Sequence, residues 1–157
     1  MRSPCAFLGR VVFSVCLVAV FVGGAVALPG SAWGQTVSFQ VQVIYAANQE
    51  GGVDSRLGGL AENLKKTFRY SMYQLLDAPK GSAALNEVWR TTLPDNRSLE
   101  ITPTGVQDGQ HSLAVRVLLA DGKTPVNTVV RLRRGSTVLV GGPAHQKGVL
   151  IIAISAS

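Results

Sequence analysis

Cysteine is nearly missing from this 157-residue chain: there are two, Cys5 and Cys16, both close to the N-terminus. Residues 35–157 have none, so that part cannot use a disulfide and its stability must come from a packed core. Charged side chains make up only 15% of the chain, which excludes a disordered acidic or basic tail protein. Aromatics make up 6%, too few for the aromatic girdles of an outer-membrane barrel, and the chain closes on Ile154-Ser155-Ala156-Ser157 with no terminal aromatic.

Catalytic motifs are missing as well. There is no Gly-x-Ser-x-Gly nucleophile elbow and no Ser-x-x-Lys signature. His111 and His145 belong to no His-x-His or His-Glu-x-x-His spacing, so a zinc site has little support. The run Gly141-Gly142-Pro143-Ala144-His145-Gln146-Lys147-Gly148 lacks the Gly-Lys-Ser/Thr and the following helix of a phosphate-binding loop, and reads as a glycine-rich connection between strands. Asp77, Glu87, Asp95 and Glu100 offer carboxylates, but a glycosidase needs two at a set separation across a cleft, and a set of nine acids always contains such candidates. Asn96-Arg97-Ser98 matches a glycosylation sequon, which matters only in a eukaryotic secretory host. No cofactor and no metal is expected, and the chain reads as a non-enzyme.

What the chain does contain begins with an export signal over residues 1–34. Arg2 and Arg10 form a positive start, Val11 to Leu28 is uncharged and apolar, and Pro29-Gly30-Ser31 breaks the run. Ala32-Trp33-Gly34 then offers small residues for cleavage before Gln35; an uncleaved anchor is the alternative, since 18 uncharged residues can just span a bilayer. Either way residues 35–157 are exported as one domain, to the periplasm or the outer envelope. Without Arg2 and Arg10 the formal charge falls from +6 to +4, short of the dense basic stripe of a nucleic-acid binder. No later stretch is long and apolar enough to span a membrane as a helix.

The pattern of the exported part predicts an α+β fold: a mostly antiparallel, sandwich-like sheet system of seven or eight strands with one amphipathic helix after the first strand. Val37, Phe39, Val41, Val43 and Tyr45 alternate with Ser38, Gln40, Gln42 and Ile44, marking a half-buried strand over Thr36–Ala46. Asp54 or Ser55 caps a helix over Ser55–Phe68, whose Leu57, Leu60, Ala61, Leu64 and Phe68 share a face, although Gly58-Gly59 weakens it. Strands follow over Arg69–Asp77 (closed by Pro79-Lys80-Gly81), Asn86–Leu93, Leu99–Thr104, Ser112–Ala120, Val126–Arg134, Thr137–Val140 and Val149–Ser155.

Asp121-Gly122 and Asp108-Gly109 are hairpin signals. A two-residue loop at Asp121-Gly122 sets Val115 opposite Thr128 and Leu113 opposite Val130, with Arg116, Arg131 and Arg133 on the wetter face. At Asp108-Gly109 only a one-residue shift keeps the apolar sets together. A three-residue loop, Gln107-Asp108-Gly109, with a bulge supplies it, setting Ile101 opposite Val115 and Glu100 opposite Arg116. The last strand does not alternate, which predicts burial on both faces, beneath the helix and with another layer behind.

Leu64-Lys65-Lys66-Thr67-Phe68-Arg69-Tyr70 through Tyr73-Gln74-Leu75-Leu76, together with Asn127 to Leu132, Thr137 to Pro143 and Gly148 to Ile152, resembles small exported proteins of unknown function from Gram-negative bacteria. The resemblance implies export and carries no catalytic residues. Ser136 to Gly142 is also similar to a strand of outer-membrane secretins, a likeness of seven residues.

The functional expectation is a non-enzymatic periplasmic or cell-envelope protein that binds another envelope protein. The alternative is a module that binds a glycan or envelope polymer. Two residue sets carry these readings: Tyr70, Tyr73 and Trp89 as rings for stacking on sugars, and Arg116, Arg131 and Arg133 as a basic face for an anionic partner.

Overall fold

The computed structural model describes residues 35–157, so the expected signal segment lies outside the described residues. The described chain begins with β1 (Thr36–Ala47), where the apolar alternation dictates a strand. After a polar loop comes a 3-10 turn, Ser55–Leu57, then helix α1 (Leu60–Thr67). The expected single helix over Ser55–Phe68 is thus two pieces. Gly58 parts them: its backbone sits at φ 47°, ψ −127°, which no helix contains. Asp54 does act as the cap, accepting a hydrogen bond from the Arg56 amide at 3.0 Å.

The rest is β2 (Met72–Asp77), β3 (Lys80–Ala84), β4 (Trp89–Leu93), β5 (Arg97–Gln107), β6 (Gln110–Leu118), β7 (Val126–Arg133), β8 (Thr137–His145) and β9 (Gly148–Ala156). Among the described residues these nine strands make two antiparallel sheets. In the first the order is β2-β1-β9-β8, and β3 also pairs with β1; in the second it is β4-β5-β6-β7. The α+β, sandwich-like class holds, with one strand more than the eight segments read as strands in the sequence.

The additional strand is β3. Pro79 reads as a terminator in sequence, yet β2 pairs with the C-terminal half of β1 and β3 with its N-terminal half. The two are one edge strand broken at Ala78-Pro79. Proline lacks a donor but keeps its carbonyl, and the Val41 amide donates to Pro79 O at 2.8 Å, so pairing continues across the break. The glycine-rich connection is likewise shorter than expected, because β8 runs on to His145 with a bulge between Gly141 and Ala144.

Two apolar clusters set the layers. One lies between the sheets and includes Phe39, Val41, Leu99, Ile101, Leu113, Val115, Leu132, Ile152 and Ile154. The other lies on the far side of the first sheet, where Leu57 and Leu64 meet Ile44, Tyr73, Leu75, Ile151 and Ala153. The order is helix, sheet, sheet. β9 is therefore covered on both sides, with Ile152 and Ile154 in one cluster and Ile151 and Ala153 in the other, as its unbroken apolar run requires.

Both registers in the second sheet match the sequence reading, but the turns that produce them differ. Val115 faces Thr128, Leu113 faces Val130 and Arg116 faces Asn127. The loop between those strands is wider than Asp121-Gly122 alone: Leu119 N–H donates to Lys123 O at 2.8 Å, and the Asp121 carboxylate accepts the Lys123 amide at 3.0 Å. Such a side-chain turn competes with a two-residue hairpin. In the β5–β6 hairpin, Ile101 faces Val115 and Glu100 faces Arg116. Here the turn is a two-residue one, with Asp108 at φ 53° and Gly109 at φ 72°. The one-residue shift comes instead from an irregularity between Pro103 and Gly105, within the strand rather than in the loop.

Candidate functional site

The aromatic residues expected as a stacking platform are separated by the fold. Tyr73 sits in β2 on the side that α1 covers and is 1% exposed. Its hydroxyl donates to the Phe68 carbonyl, which ties the end of α1 to the strand, and accepts the Tyr70 amide at 3.2 Å. Tyr70 is half-buried against it, ring centroids 6.4 Å apart and nearly perpendicular. Trp89 belongs to the other sheet, packed against the inter-sheet cluster with its ring edge-on to Phe39 at 5.2 Å. It lies over Gly81, where a Cβ would come within 2.5 Å of the indole Nε1, so this contact needs glycine. These rings are packing residues of two different clusters, and a shared sugar platform of Tyr70, Tyr73 and Trp89 does not form.

The arginines are brought together. The inward side chains of the second sheet are Leu99, Ile101, Leu113, Val115, Val117, Val130 and Leu132. Alternation then sends Glu100, Arg116, Asn127, Val129, Arg131 and Arg133 to the outer face. The pairing Arg90↔Glu100 adds Arg90 to the same face. Sequence reasoning missed Arg90 because it assigned no register to β4; the pairing Trp89↔Ile101, which puts Trp89 inward, is the signal that fixes it.

Glu100 is 7% exposed yet does not point into the core. Two guanidinium groups lie over it: Arg90, which ion-pairs with Oε1 and donates from Nε at 3.0 Å, and Arg116, whose Nη1 is 3.7 Å from Oε2. The expected Glu100–Arg116 pair exists, with Arg90 as the closer partner. A carboxylate shared between two cations leaves net positive charge, and among the described residues no carboxylate lies within ion-pair distance of Arg131 or Arg133. Val129 stands between Asn127 and Arg131 on this face and is 61% exposed. The surface is basic, with an exposed apolar residue on its β7 edge.

His145, read as part of a loop, ends β8 and is 6% exposed, with Nδ1 2.6 Å from Asp95 Oδ2 and its ring edge-on to Tyr45. Asp95 lies in the β4–β5 turn, so the pair joins the two sheets. His111 is the second residue of β6, next to the turn. Among the described residues no three His, Cys, Asp or Glu side chains gather as a metal site. Nor is any helix among them long and apolar enough to cross a membrane.

No family model, no curated protein and no solved structure matches this chain.

Proposed function

We propose that this chain is an exported, non-enzymatic protein of the periplasm or outer envelope that works by binding another protein. The observation that carries the reading is the outer face of the second sheet: Arg90 and Arg116 flank Glu100 in one row across β4, β5 and β6, and the exposed Val129 precedes Arg131 and Arg133 along the edge strand β7, where no carboxylate among the described residues pairs with them. Arginine with an exposed apolar side chain is the composition of an interface centre, because the guanidinium is weakly hydrated and planar while the apolar group contributes burial. Export is supported by the charged start, apolar run and small-residue exit of residues 1–34.

A photo-crosslinking residue at Val129 of the full chain, produced in its own host, tests this. The expected result is one dominant protein adduct from the envelope fraction. It should weaken strongly when Arg131→Glu and Arg133→Glu are introduced together, since charge reversal opposes an acidic partner. A protein adduct unaffected by the reversal, or no adduct at all, overturns the reading.

A further inference from the structure

We propose that the free edge of β7 takes up an extended acidic segment of the partner protein as a fifth strand of the second sheet. This rests on the protein-binding reading above and names the form of the partner. The strand order of that sheet ends at β7, and among the described residues no backbone hydrogen bond from another element reaches its outer edge between Val126 and Leu132. An edge strand with unpaired N–H and C=O groups is a template for another strand.

The edge of β2 shows how this chain closes such a template. Asp54 N–H donates to Tyr73 O at 2.8 Å, and Tyr73 N–H to Gly52 O at 2.8 Å. Beyond them side chains take over: Arg56 Nη2 donates to Leu75 O at 2.9 Å, and Asp54 Oδ2 accepts the Leu75 amide at 3.3 Å. Between Val126 and Leu132 β7 has no such hydrogen-bonded cover among the described residues; only at its end does the Arg133 carbonyl accept from the Ser136 amide, at 3.0 Å.

Charge complementarity selects the occupant. Along the outer side of β7 the order is Asn127, Val129, Arg131, Arg133. In an added strand the residues directly opposite lie about 5 Å away, and residues two apart share a face. Two carboxylates in an acidic-x-acidic spacing therefore meet Arg131 and Arg133, and an apolar residue two positions further meets Val129. The inward residues of the same strand face a trough of about 430 Å³ between β7 and β8, whose apolar walls include Val126, Val130, Leu139 and Val140. Edge charges are a common guard against pairing, and Arg131 and Arg133 do repel a basic strand. The same charges attract an acidic one, while an exposed Val129 and an apolar trough are features that a guard alone does not need.

The test uses the full chain in detergent and labelled nonapeptides of alternating Val and Thr. One carries Glu at two alternate positions. A second carries the two Glu side by side, a third carries Lys in place of Glu, and a fourth repeats the first with alternate backbone amides N-methylated. The first peptide should bind about tenfold or more tightly than the other three, because only it matches both the face and the ladder. Arg131→Glu with Arg133→Glu should reverse the preference toward the Lys peptide. The β7 amides should gain exchange protection when the first peptide binds. Equal binding of the N-methylated peptide, or of inorganic polyphosphate in its place, overturns strand addition and leaves only an anion-attracting face. Failure of every acidic peptide to bind overturns it too. In both cases the Val129 crosslink decides separately whether the chain binds a protein at all.

Discussion

Asp54 illustrates what one side chain can hold together. Its carboxylate accepts the Arg56 amide, pairs with the Arg56 guanidinium at 2.7 Å and takes the Leu75 amide, so the 3-10 turn is fastened to β2. The hydrogen bonds from the Arg56 side chain, then from its amide, hold this carboxyl far below its ordinary value of 3.8. A depressed carboxyl contributes stability that is complete above its unfolded value and is lost as pH falls toward the folded one. Wild type should therefore lose stability to acid more steeply than Asp54→Asn once the pH passes below about 3.8, while the Asp54→Asn variant is the less stable protein at neutral pH. Thermal midpoints of both proteins from pH 7 to pH 2 check this, and parallel curves would contradict it. Asp54 was legible in the sequence as a cap. Its hold on Leu75 was not, because that contact spans 21 residues.

At the scale of the element, the broken helix turns on Gly58. Its φ of 47° with ψ of −127° is a conformation that side chains resist, and a Cβ there meets no neighbour. Gly58→Ala should thus destabilise by about 1–3 kcal/mol through backbone strain alone. Urea unfolding measures it, and an unchanged midpoint would show that the helix closes over the break. The hairpins teach a related point. Matching apolar faces predicted the β5–β6 and β6–β7 registers, since a slip of one residue would turn Leu99 and Ile101 to solvent. The position of the additional residue was not legible. A bulge near Pro103 and a longer loop at Asp108 give the same parity, and parity is all that the alternation reports.

For the whole molecule, the first sheet is shared by two apolar clusters, and neighbouring residues of β9 serve different ones. Ile151 and Ile152 are both fully buried, the first beneath α1 and the second between the sheets. Truncating either to alanine should cost about 2–5 kcal/mol. Native-state amide exchange should separate them. Ile151→Ala should release the α1 amides ahead of those of the second sheet, whereas Ile152→Ala should lower protection in both sheets. Equal effects on α1 and the second sheet from Ile151→Ala would mean that the two clusters act as one. The candidate interface belongs to this scale as well. Arg90, Glu100, Arg116 and Asn127 form one row only because four strands align, and the pairing of β4 lay beyond local pattern.

By itself the sequence determined the period of each segment, and with it which side chains share a face. Alternation in β1, the unbroken apolar run of β9 and the shared side of Arg116, Arg131 and Arg133 are all local consequences of a two-residue repeat. Tertiary structure decided what covers each face. It put α1 over Tyr73 and removed that ring from solvent, set Trp89 against Phe39, and carried pairing past Pro79. It also left the edge of β7 between Val126 and Leu132 without a hydrogen-bonded partner strand among the described residues. The reason is physical: backbone geometry fixes the direction of a side chain from its neighbours in sequence. Burial depends on elements that arrive from tens of residues away.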